Sequence, residues 1–492
     1  MLRTSSWRLL LTIGLVLGLV LLCSCAVPFG PGYQIERQQL EAHYLQTSPA
    51  HLHIQATYRL RNIGNGQLGF VEAVLPSGPA RGRENLRVSV DGREVSVEPA
   101  DDGSTSVARI PFDPTWSPKQ RRILSLEYDL APAVQGDAEF AVDEGSFLSR
   151  ASSAFPLLRP PTGGLVEHGK PALESRLTVL VPADFQVFAG GQGQGSRQRG
   201  GESEYRFGVN KKSFEPFVLA GHYHEQRIQA GGDTIIFWTL DPLPADQAQG
   251  ATARLAGTYQ TYRSAFGQLW KNPPPVRVIE TSARLTARRG GQGDAAGVAL
   301  PTGALLNRAA FRVGITSDTF LTLVEHELGH TWFGEAVSAQ PHAEAVLGEA
   351  LAEYSTLVAA EARGGESERQ HETALLLRWF DESRKKAADK PLLEIRASDP
   401  YEKRVFGYSK GALFFVGLED RYGKENVRHA LAHLVNSLRG SRFGYAELRA
   451  AIELETREKL GDFFRLWLDE RGIPDEFRAR YEVKEQRLES KE

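Results

Sequence analysis

Residues 324–337 read VEHELGHTWFGEAV, and within them His326, Glu327 and His330 form an H-E-x-x-H pattern. A helix turns about 100° per residue, so two histidines four apart lie about 40° from each other on one face. Both imidazoles can then reach a single Zn²⁺ at roughly 2.0–2.1 Å. Glu327 stands beside the first ligand, where it can take a proton from water held at the metal. The plain alternative is a pair of surface histidines on an amphipathic helix, so a third ligand decides the matter. Eighteen residues separate His330 from Glu349, which stands inside VLGEALAEYSTL, a segment where Leu351, Tyr354 and then Val358 have helical packing spacing. A second helix running back beside the first brings Glu349 to the same ion. Three protein ligands leave one position open, the pattern of a catalytic zinc site rather than a structural one. Glu353, one turn further, either orients a ligating histidine or faces solvent; the spacing leaves both open. Trp332 and Phe333 read as packing for the zinc helix.

The pattern H-E-x-x-H, eighteen residues, then Glu resembles the gluzincin family of aminopeptidase N and leukotriene hydrolase. Its zinc helix is typically HELAHQWFGN and its third-ligand helix N-E-G-F-A; here they stand as HELGHTWFGE and G-E-A-L-A. Tyr408-Ser409-Lys410-Gly411-Ala412 resembles the family's Y-x-K-G-A, and Trp467 with Gly472 and Pro474 its W-x-x-x-x-G-x-P. The resemblance spans about residues 227–475. It implies a thermolysin-like α+β, mostly helical domain that hydrolyses peptide bonds with one Zn²⁺ per chain. His326, His330 and Glu349 would be its metal ligands and Glu327 its general base. Tyr408 would donate to the tetrahedral oxyanion, with Tyr401 as the fallback.

The family's G-x-M-E-N, whose backbone lies beside the substrate and whose glutamate binds its free α-amine, is replaced by GGQGDAAGVALPTG (290–303). Gly293, Asp294 and Gly297 are the candidate substrate residues there, Asp294 being the loop's one acid. The family's F-P-x-x-D-E-P is likewise altered, to Phe155-Pro156 followed by Arg159-Pro160-Pro161. Losing a charge-assisted anchor weakens selection for a free amine by roughly ten- to a hundredfold. The family's large helical C-terminal domain also has no counterpart in this chain, which implies a more open cleft. Strict aminopeptidase action is therefore in doubt, and internal bonds or longer chains suit the site better. A reading from another class is a peptide-binding or assembly lipoprotein that keeps the fold with little turnover.

Elements that must position these residues are legible upstream. Over about 30–226 the chain reads as β-structure: HLHIQATYRL alternates Leu52, Ile54, Ala56, Tyr58 and Leu60 on one face. NLRVSVDGREVSVEP joins two alternating runs through Asp91-Gly92, a hairpin signal. GGQGQGSRQRGG (190–201) lacks the G-x-G-x-x-G order of a phosphate loop and reads as a flexible hairpin loop. From about 250 helical patterns dominate, interrupted by a strand at 276–281 and another around GVALPTG. The expected organisation is a leader over 1–25, an all-β domain over 26–226, the zinc domain over 227–475 and a charged tail, helix or frayed end, over 476–492.

The leader has Arg3 and Arg8 before an uncharged, largely apolar run, Leu9 to Leu22, a signal-peptide length too short to span a bilayer. Leu22-Cys23-Ser24-Cys25 resembles the bacterial lipobox, making Cys25 the lipidated N-terminus, although a plain secretory signal fits the same segment. Both cysteines lie here, so the mature chain has no disulfide to rely on. Lipid at Cys25 predicts an exported protein tethered to an envelope membrane, the outer one where two exist, since Ala26 is not the aspartate associated with inner-membrane retention. Across 492 residues, 41% hydrophobic and 24% charged, the net charge of −3 argues against nucleic acid as a partner. The partners implied are a peptide or protein substrate and the membrane.

Overall fold

The computed structural model describes residues 32–481 apart from 77–82, 102–105, 131–139, 143–145, 151–153, 160–171, 210–216, 282–296 and 397–401. The leader, Cys25, Tyr401, Gly293 and Asp294 lie outside the described residues. The chain divides into two compact units, the break falling between Gly221 and His222, slightly before the expected end of the β-rich domain.

The first unit is built on strands. Its largest sheet places Tyr33–Leu45 and His51–Asn62 antiparallel at the centre, flanked by Ala172–Pro182 and Arg121–Leu130. The alternation in HLHIQATYRL is realised fully: Leu52, Ile54, Ala56, Tyr58 and Leu60 are each at most 1% exposed. Period-two burial of this kind fixes register, because a one-residue slip would turn every one of these side chains to water. Asp91 and Gly92 both take positive φ, as a tight hairpin turn requires. The returning strand is only Arg93–Glu94, shorter than the alternation of VSVEP suggests. The glycine-rich stretch expected to be a loop is instead an edge strand, Gln192–Arg199, paired antiparallel with Glu202–Val209 across a turn at Gly200-Gly201. Backbone pairing needs no side chain to signal it, which is why a Gly/Gln/Arg sequence hides a strand.

The second unit opens with β1 (His224–Ala230) and β2 (Asp233–Thr239), then α1 (Ala245–Phe266) and β3 (Val276–Thr281). The region around GVALPTG forms two strands, β4 (Gly297–Leu300) and β5 (Gly303–Asn307), not one. The sheet order is β1-β2-β3-β5-β4, with β2, β3 and β5 parallel and β4 antiparallel at the edge. Ile235, Phe237, Val276, Val278, Ala304 and Leu306 join α1 residues Leu255, Tyr259 and Phe266 in one buried core. The helices that follow include α2 (Asp318–Gly329), α3 (Glu349–Arg384), α4 (Gly411–Tyr422) and α5 (Lys424–Ser437). α3 is broken at Gly365 (φ 71°), so its second half runs in a new direction.

Trp467 is 2% exposed and packs its ring on Phe414, Phe463 and Phe477. The charged tail expected from 476 is therefore part core: Phe477 is 6% exposed, Tyr481 is 1% exposed and its hydroxyl donates to Asp420 at 3.0 Å. Phe477 and Tyr481, four residues apart, dock the described part of that segment although its composition is charged. Among the described residues no helix is long and apolar enough to cross a membrane.

Candidate metal centre

α2 starts where Ser317 Oγ accepts the Phe320 N–H at 3.2 Å, and Asp318 in its first turn suits the positive end of the helix dipole. Phe320, Leu321, Val324 and Leu328 bury one side, which leaves the turn at its C-terminal end, His326 to His330, on the rim of the core. Trp332 and Phe333 hold that end down. Trp332 Nε1–H donates to Gly267 O at 2.9 Å and its ring meets Tyr262 edge-on at 5.8 Å, while Phe333 sits edge-on to Phe266 at 5.0 Å.

The two imidazole centroids are 5.1 Å apart. Glu349, first residue of α3, brings its Oε2 to 3.5 Å from His326 Nε2 and 3.4 Å from His330 Nε2. Ligand atoms bound at about 2.05 Å to a tetrahedral ion sit about 3.3 Å from each other. Both observed separations agree with that geometry, and the three residues form a cluster whose donor atoms all lie within 4.8 Å of one another.

The other nitrogens of both rings are also engaged. His326 Nδ1 meets Glu353 Oε2 at 2.9 Å, and His330 Nδ1 donates to the Phe333 carbonyl at 3.2 Å. With each Nδ1–H committed outward, each Nε2 faces Glu349, and its lone pair becomes available to a metal once the ring gives up its proton. Glu353 thus takes the orienting position rather than facing solvent. Burial opposes charge on His326, yet its hydrogen bonds to Glu349 and Glu353 and the fields of Glu353 and Glu327 raise it to about 10. His330 is raised in the same way, against burial, by Glu349. Negative potential is concentrated where a cation would sit, so the donor set fits a Zn²⁺.

Glu327 is 7% exposed and lies against β4. A Cβ at Gly297 would come to 3.0 Å from Glu327 Oε1 and 2.6 Å from Leu306 Cδ2, so only glycine lets the strand approach Glu327 this closely. Gly297 is thus placed at the site. Tyr408 stacks flat on His326, ring centroids 5.3 Å apart at 7°. Burial, then the charge and hydrogen bond of Glu349, push its phenol well above 10.

The Y-S-K-G-A residues explain how Tyr408 arrives there. Gly411 packs so tightly on α3 that an added Cβ would lie 2.6 Å from Ala350 Cβ, next to Glu349. Lys410, fully buried, donates to the carbonyls of Lys390 and Glu470 at 3.1 Å each and pins the turn from below.

One residue of the site went unnoticed in the sequence. Glu325, wholly buried next to His326, accepts from Arg254 Nε at 2.9 Å, Arg363 Nη1 at 2.8 Å and Thr258 Oγ1 at 2.8 Å. It ties α1, α2 and α3 together behind the ligands. The signal available was a second glutamate in an otherwise apolar helix face, and its partners lie 38 to 71 residues away.

Residues 303–467 match the peptidase family M1 domain, a stretch that includes His326, Glu327, His330, Glu349, Tyr408 and Trp467. The second unit carries an M1 peptidase domain. The gluzincin, aminopeptidase N-like resemblance is thereby shown for the catalytic half. No curated protein matches the chain. Among solved structures, an M1 zinc metallopeptidase mutant of Deinococcus radiodurans bound to a Tyr-Ser-Ala substrate is 19% identical, with a TM-score of 0.62 over 90% of this chain and 95% of that one. A two-domain M1 zinc metallopeptidase mutant bound to L-tryptophan is similar at 20% identity and a TM-score of 0.60, over 90% and 96%. These likenesses extend the fold of those structures to both units: a β-rich first domain followed by a mostly helical second one.

Proposed function

We propose that this M1 protein is a zinc-dependent peptidase of the cell envelope that holds one Zn²⁺ per chain through His326, His330 and Glu349. The observation that carries the reading is the meeting of two oriented imidazoles and a carboxylate at tetrahedral spacing, with Glu327 and Tyr408 beside them. When bound, Zn²⁺ would supply Lewis acidity, polarising a carbonyl and making water acidic enough to attack near neutral pH.

The chain's own groups perform the rest. Glu327 takes the proton of the attacking water and returns it to the departing amine. Tyr408, its phenol held protonated far above neutral pH, keeps a hydrogen to donate to the oxygen on which charge develops. Among the described residues β4 is the edge of its sheet, and an edge strand suits an extended peptide added as a further strand. Gly297 removes the side chain that would separate that peptide from Glu327. The Tyr-Ser-Ala substrate of the Deinococcus radiodurans structure supports a peptide as the substrate class.

We infer that a free α-amine is not required. Methionine and glutamate are missing from the loop over 290–303, and Asp294 is its one acid. Lipid on Cys25 would tether the enzyme at an envelope membrane, the outer one where two exist.

Glu327→Gln tests the reaction. Turnover of peptides falls by about a hundredfold or more while zinc content stays at one per chain. A variant as active as the parent, or a parent that binds peptides without cleaving them, supports the binding-lipoprotein reading instead. N-acetylated and free peptides assayed side by side test the specificity, and resistance of all blocked peptides would restore strict aminopeptidase action.

A further inference from the structure

Among the described residues, Trp379 is the one aromatic side chain left in the exposed class, at 36%. It stands beside the reaction centre. Its ring meets Tyr408 edge-on, centroids 6.5 Å apart at 72°, and Tyr408 in turn lies flat on His326. The break at Gly365 makes this possible, because the second half of α3 can return past the segment that carries Tyr408. Leu375, one turn earlier on the same helix, is also exposed, at 37%. Residues four apart share a helix face, so Leu375 and Trp379 expose apolar surface on the same side of that helix.

Bracing Tyr408 does not require this exposure. Phe266 braces Phe333 in the same unit and is wholly buried. An indole carries the largest apolar surface of any side chain and is favoured where a flat partner covers it. Ligand sites are lined by such aromatic walls beside a few polar groups.

We propose that Trp379, with Leu375, forms a substrate subsite for an aromatic or bulky apolar side chain of a residue flanking the cleaved bond. This rests on the peptidase reading above. The subsite selects substrates and takes no part in proton transfer.

The test compares kcat/KM for two peptide series on the zinc-loaded protein. In each, one position flanking the cleaved bond is varied among phenylalanine, leucine, alanine and glutamate. The parent prefers phenylalanine at one of the two positions, and Trp379→Ala lowers the phenylalanine-to-alanine ratio there by about tenfold. Trp379→Phe, which keeps a ring, retains most of the ratio, and equal zinc content in all three proteins shows that they are folded. Loss of the same factor for every peptide would mean that the ring merely braces Tyr408, and an unchanged ratio would mean that it faces away from substrate; either result overturns the subsite. A parent that cleaves no peptide fails differently, because it removes the peptidase reading itself.

Discussion

Replacing Glu353 with alanine removes the partner of His326 Nδ1, a contact of 2.9 Å on a ring only 8% exposed. Two costs follow. The Nδ1–H loses a charge-assisted hydrogen bond in a place that water reaches poorly, which is worth about 1.5–3 kcal/mol. The imidazole also becomes free to take the other tautomer, which points a proton rather than a lone pair at Glu349. At about 1.4 kcal/mol per factor of ten, the first cost alone weakens zinc binding by roughly ten- to a hundredfold, the range found for orienting carboxylates elsewhere. Glu353→Gln separates the two costs. Its amide oxygen still accepts from Nδ1–H, so the tautomer is kept and only the charge is lost, and the loss of affinity should be several-fold smaller. Zinc dissociation constants from competition with a chromophoric chelator, at fixed pH, measure both variants. Glu353→Ala binding zinc as tightly as the parent would refute the orienting role. Equal losses for the two variants would refute the tautomer argument while leaving the electrostatic one.

Tyr408→Phe should lower kcat by about a hundredfold or more with little change in KM, because the phenol donates to charge present only in the transition state; steady-state kinetics on a peptide cleaved by the parent check this. Gly297→Ala places a methyl 3.0 Å from Glu327 Oε1, so Glu327 must give by a few tenths of an ångström; kcat should fall, by less than the roughly hundredfold that a full-ångström misplacement can cost, with zinc content unchanged by metal analysis. Loading the metal-free protein with Zn²⁺ at pH 7 should release at least one proton per ion. His326, raised to about 10, is protonated at that pH and must be neutral to ligate; calorimetry in buffers of different ionisation enthalpy counts the protons, and the release should vanish as pH rises past that value.

Much of the site was legible because its signals are local or evenly spaced. H-E-x-x-H needs only the helix period, and the alternation of Leu52 to Leu60 needs only the strand period. Glu349 was within reach because a single helix–turn–helix connects it to His330. Glu353 remained undecided, since a glutamate one turn from a ligand looks the same whether it faces a histidine or water. Arg254 and Arg363 were invisible as partners of Glu325, because nothing in sequence joins residues from three helices. The edge strand Gln192–Arg199 and the docked Phe477 and Tyr481 were misread for the complementary reason: composition argued against order that pairing and packing then supplied.

By itself the sequence determined the donor types, their spacing, the base beside them and the helices and strands that carry them, because each of these follows from covalent order and backbone periodicity. Tertiary structure alone decided that Glu349 closes to 3.4–3.5 Å on both imidazoles, that Glu353 and the Phe333 carbonyl set their tautomers, that Gly297 lets an edge strand touch the base, and that Trp379 stands exposed beside Tyr408. Those distances depend on how separate elements pack, and packing is settled by the whole buried core rather than by any stretch of chain within it.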